Sequence, residues 1–200
     1  MNFDSYTIVV TGLGGQGLIR FLQILGNALM IKGYKVMTSE THGLSQRGGK
    51  VSCFLRFGNK LPAPIPMIGS ADIILSLEES SILDVLYYAK PDKSTNLIIS
   101  TYEKQQIDTK YPSLEYLLSV LYENSENIYF IPVSEIAVKH TGNLKAMNSV
   151  ILGYILKFLP LDSNDLEESL IQHFSEKNLE LNLKGFKEGQ KLQSILSENE

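Results

Sequence analysis

Tyr6-Thr7-Ile8-Val9-Val10-Thr11-Gly12-Leu13-Gly14-Gly15-Gln16-Gly17 decides the fold class of this 200-residue chain. Its first half is short, apolar and β-branched, and reads as a buried strand, Tyr6 to Thr11, ended by glycine. Its second half is a tight glycine turn. From Leu18 to Lys32 the residues Leu18, Ile19, Phe21, Leu22, Leu25, Ala28 and Leu29 then wrap most of a helix, and Gly33 supplies its stop. Strand, glycine turn and helix in that order open an α/β fold.

A second short strand, Tyr34 to Ser39, leads straight into Ser39-Glu40-Thr41-His42-Gly43-Leu44-Ser45-Gln46-Arg47-Gly48-Gly49. Here a histidine, a glutamine and an arginine sit among glycines, so polar groups able to grip an anion ride on a backbone that can approach a ligand or partner closely. One helix and one strand separate this segment from the glycine turn. Both loops are expected at one edge of the sheet, where such folds bind their ligands.

Farther along, Val51, Cys53, Leu55 and Phe57 alternate with Ser52, Phe54 and Arg56, a period-two strand with Cys53 on the more apolar face. Pro62, Pro64 and Pro66 exclude helix and central strand, leaving either an extended, partner-facing segment or a rigid connector. Asp72 to Leu77, Asn96 to Ser100 and Ile128 to Val133 read as strands. Helices are expected over Ser80 to Ala89 and Ser113 to Tyr122, the latter capped by Ser113. From about residue 143 the chain reads as helical, with Asn143 as a cap. Leu144, Met147, Ile151, Tyr154 and Phe158 make one stripe ended by Pro160; Leu166, Leu170, Ile171 and Phe174 make the next, and Leu179, Leu183 and Phe186 a thin third. The expected architecture is a single Rossmann-like α/β domain over residues 1–200. It has a largely parallel sheet flanked by helices and a helical C-terminal tail.

Composition narrows the function. A hydrophobic content of 44% suits one domain with a sizeable core. The net charge of −4, without a Lys/Arg cluster, argues against nucleic acid or an anionic membrane as partner. No run reaches the ~18 apolar residues of a membrane span. The N-terminus lacks the basic region and cleavage site of a signal peptide, so a cytoplasmic protein is expected. Cys53 is the single cysteine, and His42, His140 and His173 have no metal-ligand spacing. No metal site or iron–sulfur cluster is expected from this chain alone.

Gly12-x-Gly14-x-x-Gly17 matches the dinucleotide fingerprint in its glycine spacing, and the helix start offers N–H groups to an anion. Glu40 ends the second strand, where a ribose-binding carboxylate would be wanted. The other reading of Gly12, Gly14, Gly15, Gln16 and Gly17 is a turn that packs helix against strand, with or without a phosphate. Gln16 can hydrogen-bond there but carries no charge. Arg47 can clamp a phosphate or carboxylate through two parallel hydrogen bonds, or pin its own loop to a carboxylate such as Glu40. Gly48 and Gly49 let the backbone pass close by. His42 can donate, accept or titrate, or simply pack. Glu78 and Glu79 read as helix-start residues favoured by the helix dipole. No catalytic constellation is present, and no G-x-S-x-G occurs.

Together, Gly12-Leu13-Gly14-Gly15-Gln16-Gly17 and Ser39 through Gly49 resemble the gamma subunit or domain of 2-oxoacid:ferredoxin oxidoreductases. The His-Gly-x-x-Gln-Arg-Gly-Gly form is most similar to the small, beta subunits of the indolepyruvate branch. Gly69-Ser70-Ala71-Asp72, Glu78 through Lys90-Pro91, and Asn143 through Asn148 to Gly153 agree, and the likeness covers about residues 6–190. The resemblance implies a complex in which thiamine diphosphate attacks a 2-oxo acid and carbon dioxide leaves. Iron–sulfur clusters then pass electrons to ferredoxin, and coenzyme A takes the acyl group. It implies no cofactor held by this chain alone, and a larger catalytic partner in a hetero-oligomer. With that likeness, the placement of the loop beside the glycine turn sets His42, Gln46, Arg47, Gly48 and Gly49 either near coenzyme A or the substrate carboxylate or at the subunit interface alone. A pyruvate, 2-oxoglutarate or branched-chain relative is the near alternative. A free-standing nucleotide-binding or regulatory module is the distant one.

Overall fold

The computed structural model describes residues 4–42, 49–102 and 111–197, with the backbone alone for His42 and residues 193–197. The described residues fall into two compact units, one within 4–22 and 35–131 and the other within 23–34 and 132–197.

The first unit holds a six-stranded sheet in the order β2-β3-β1-β4-β5-β6. Its strands are β1 (Tyr6–Leu13), β2 (Lys35–His42), β3 (Lys50–Gly58), β4 (Ile73–Ser76), β5 (Asn96–Ser100) and β6 (Asn127–Ile131). β1, β4, β5 and β6 run parallel, as their unalternated apolar sequences require. β3 enters antiparallel between β1 and β2, so the sheet is mixed. Ile8, Val10, Leu55, Ile73, Leu75 and Ile98 on one side of the pleat, and Val9, Phe54, Ile74, Leu97 and Ile99 on the other, are all buried. The second set packs with Ile82, Val85 and Leu86 and with Leu117 and Leu121 of α2 (Leu114–Asn124) in one apolar cluster. Ser113 caps α2 by accepting from Tyr116 N, as its sequence position predicts.

Two local expectations are corrected. Ser80 to Ala89 is no α-helix but two 3₁₀ segments, Glu79–Asp84 and Leu86–Tyr88. Val85, at φ −127°, breaks the run, and the bonds Val85 N to Ile82 O and Ala89 N to Leu86 O close the tighter turns. The last strand stops at Ile131 because Pro132 cannot donate to the ladder. A helix absent from the sequence expectation, α3 (Val133–Thr141), begins there and ends on Gly142 at φ +72°.

The second unit contains α3, α4 (Met147–Ile155), α5 (Ser163–His173) and α6 (Glu176–Ser197). α1 (Leu18–Ile31) contributes residues to both units. Asn143 caps the turn before α4, as expected. The predicted single stripe does not hold: residues 149–155 are buried all round, whereas Leu144 is exposed. Glycines explain the difference. A Cβ on Gly189 would overlap the Val150 carbonyl oxygen and lie 3.0 Å from Tyr154 N; one on Gly153 would overlap the Phe186 carbonyl. α4 and α6 therefore touch backbone to backbone. Among the described side chains of α6, Asn182, Gly185, Phe186 and Gly189 are the buried positions, with Asn182 Oδ1 accepting from Ser149 Oγ at 2.7 Å.

Candidate functional site

Strand directions bring the two glycine-bearing loops together. Leu13, at the end of β1, is paired with Lys50, and His42, at the end of β2, with Val51, so both strands finish at the start of β3. Ser76 of β4 lies beside Thr11 and finishes at the same edge. The shared edge expected from the sequence is present.

At that edge the glycine turn is closed by its own chain. Gly15 and Gly17 adopt φ +95° and +79°, conformations that favour glycine. Gln16 folds back under Gly12: its Oε1 accepts from Leu13 N at 2.6 Å and its Nε2 donates to Leu77 O at 3.2 Å. Gly14 N donates to Gly49 O at 2.9 Å. That amide is one a dinucleotide pyrophosphate would need. β3 adds a second obstacle. Glu40 is paired with Cys53, and Cys53 with Val10, so two strand spacings, about 10 Å, separate Glu40 from β1. A ribose-binding carboxylate belongs on the strand adjacent to β1.

Of the second candidate group, Gly49 lies against the glycine turn and His42 ends β2. Gln46, Arg47 and Gly48 lie outside the described residues.

Beside the turn stands a cluster that the sequence showed only in part. Glu78 is 1% exposed, and its carboxylate accepts from Ser81 N at 3.0 Å, Ser81 Oγ at 2.6 Å, Ser80 Oγ at 2.9 Å and Tyr111 OH at 2.5 Å. Glu78 is thus the cap its position predicted, now saturated with donors that offset its desolvation. Burial, and then the bond to Glu78, push the Tyr111 phenol upward. Glu79 N donates to Tyr102 O at 3.1 Å. Tyr102 and Tyr111 are thus each bonded to one of two consecutive glutamates. Nothing in the spacing of Glu78 and Tyr111 announces this contact.

Among the described residues no group of three His, Cys, Asp or Glu side chains could hold a metal ion, and no helix is long and apolar enough to cross a membrane. Cys53 is 1% exposed in the middle of the sheet.

Comparison with known proteins adds the family. Residues 7–192 match the pyruvate ferredoxin/flavodoxin oxidoreductase family. A similar relative, the indolepyruvate oxidoreductase subunit IorB of Methanothermobacter thermautotrophicus, is 32% identical over 192 residues, covering 92% of this chain and 96% of that one. The Archaeoglobus fulgidus protein of the same name is 34% identical over 190 residues, covering 91% and 92%. Among solved structures, 2-oxoglutarate:ferredoxin oxidoreductase from Magnetococcus marinus, with 2-oxoglutarate, coenzyme A and succinyl-CoA bound, shares the fold. Its TM-score is 0.73 at 22% identity, over 97% of this chain and 32% of that chain. The chain therefore spans nearly the whole of its curated relatives but about a third of that larger polypeptide.

Proposed function

Since this chain belongs to the pyruvate ferredoxin/flavodoxin oxidoreductase family, we propose that it is the small, non-catalytic subunit of a 2-oxoacid:ferredoxin oxidoreductase. The complex oxidatively decarboxylates indolepyruvate or a related aryl pyruvate to its acyl-CoA and reduces ferredoxin, in the cytoplasm. Identities of 32% and 34% to subunits named for indolepyruvate support that branch. A pyruvate, 2-oxoglutarate or branched-chain acid is the alternative substrate.

Thiamine diphosphate and the iron–sulfur clusters reside in the larger partner. Cys53 does not fit a cluster: it is one thiol and it is buried. The glycine turn does not fit a dinucleotide, because Gly14 N is engaged by Gly49 O. That hydrogen bond is the observation that carries the reading. It makes the fingerprint glycines a frame that holds the exit of the His42–Gly49 segment at the carboxyl edge, and the segment's polar groups then serve the partner. In this role Arg47, with Gln46 and His42, meets the coenzyme A phosphates or the substrate carboxylate across the subunit boundary.

The test is anaerobic co-purification of the tagged chain with its larger subunit, followed by assays for thiamine diphosphate, iron and coenzyme A-dependent indolepyruvate oxidation. The wild-type complex carries all three. Arg47→Ala is expected to raise the Michaelis constant for coenzyme A or for the 2-oxo acid, or to weaken assembly. Unchanged assembly with unchanged Michaelis constants would remove Arg47 from the site.

A further inference from the structure

We propose that the cleft at the end of β1 away from the glycine turn binds a small organic acid, whose carboxylate pairs with the Arg56 guanidinium. The site lies within the first unit and is independent of the small-subunit reading.

Arg56 stands on β3 between Thr7 of β1 and Met37 of β2, and it is 8% exposed. A guanidinium so deeply buried ordinarily lies against a carboxylate, because its desolvation otherwise goes uncompensated. Among the described residues none of its partners is charged. Nε donates to Thr7 Oγ1 at 3.3 Å, Nη1 to Ala63 O at 2.5 Å and Nη2 to Ser5 Oγ at 2.9 Å. Three of its five N–H groups are used in this way, and its charge meets only neutral acceptors.

Arg56 borders a cleft of about 500 Å³, within the range of small-molecule sites. Ser5 and Thr7 line it too, and because each hydroxyl accepts from the guanidinium, each keeps its own proton for another acceptor. Lys90, the other cation of the lining, is committed to Asp72: its Nζ lies 2.5 Å from Oδ1, while Oδ2 accepts from Thr7 N at 2.7 Å. Asp72 is thus held from two sides and forms no ion pair with Arg56. An oxyanion is what the guanidinium and the two hydroxyls suit. The charges of the wall then select its kind. Asp72 and the exposed Asp92 repel a dianion such as phosphate more strongly than a monoanion. A carboxylate carries one charge, and its two oxygens match the guanidinium fork.

The experiment follows the backbone amide and Arg56 Nε–H resonances of the isotopically labelled full chain during titration with sodium acetate. The pH and ionic strength are fixed, and sodium chloride and sodium phosphate are titrated for comparison. Acetate should give saturable shifts at Arg56, Thr7 and Ser70, and chloride should not. Arg56→Lys keeps the charge and loses the fork, so it should bind acetate about tenfold more weakly. Because Arg56 also holds Ala63 O, Thr7→Val serves as a second variant that leaves the guanidinium in place. It removes one hydroxyl, and binding should weaken about threefold. Absence of saturable acetate shifts in the wild type would overturn the proposal. So would tighter saturation of the same resonances by phosphate, or wild-type acetate affinity in both variants.

Discussion

Gly14 and Gly49, 35 positions apart, are joined by a 2.9 Å hydrogen bond from the first residue's amide to the second's carbonyl. It fastens the glycine turn to the end of the His42–Gly49 segment and closes the amide that a bound nucleotide would require.

Nicotinamide and flavin nucleotides are therefore expected not to bind. Titration of the isolated chain with NADH should leave both its melting temperature and the nicotinamide fluorescence unchanged. Saturable binding would show that the Gly14–Gly49 bond opens, and would favour the nucleotide-binding module.

The Glu78 cluster should act as one energetic unit. Glu78→Ala takes the carboxylate acceptor from the Ser80 and Ser81 hydroxyls and Tyr111 OH, while Ser81 N keeps the backbone carbonyl of residue 78. A loss of about 1–3 kcal/mol in unfolding free energy is expected. In a double-mutant cycle with Tyr111→Phe, the two losses should be non-additive by about 0.5–3 kcal/mol. Additive losses would show that the Tyr111 contact contributes nothing.

Gly189→Ala tests the helix contact in the second unit. The added methyl group meets the Val150 carbonyl and so cannot be accommodated by a side-chain rotation. Urea denaturation should show a loss of about 1–3 kcal/mol, whereas the intrinsic helix preference of alanine over glycine alone would give a gain of about 1 kcal/mol. The sign of the change separates the two effects.

Cys53 predicts a pH dependence. Burial, and then the nearby Glu40 carboxylate, push its thiol from an ordinary 9.0 up to about 11. A neutral form favoured by the fold contributes stability that is fully present below the unfolded value and lost as pH rises toward 11. Between pH 9 and 11, Cys53→Ala should lose stability less steeply than wild type. In the native wild type at pH 8 the thiol should resist a disulfide exchange reagent until denaturant is added.

The glycine turn, the α1 boundaries and the Ser113 and Asn143 caps were legible in the sequence, because each rests on interactions within a few residues. The same holds for the capping role of Glu78. The contact of Glu78 with Tyr111 was not legible, because nothing local places a phenol 33 positions away. α3 was not legible either, because the strand's apolar run continues into Val133 across Pro132. The single stripe expected of α4 failed for a related reason, and the thin stripe of α6, with Phe186 buried, was incomplete: Gly153, Gly185 and Gly189 carry no hydropathy signal, and a backbone-to-backbone contact buries them more deeply than Leu144 or Leu183.

By itself, then, the sequence determined most of the strands, the glycine turn and α1, α2 and the helical character of the C-terminal part, that the fold is α/β, and the motifs that mark the family. Local propensity and apolar periodicity act over a handful of residues, and they suffice for that. Tertiary structure decided that β3 inserts antiparallel between β1 and β2, removing Glu40 from the reach of the glycine turn. It also decided that Gly14 is engaged by Gly49, and that Arg56 is buried against two hydroxyls and a carbonyl. Strand order and the pairing of distant backbone groups depend on which surfaces bury one another, a property of the whole chain that no short stretch encodes.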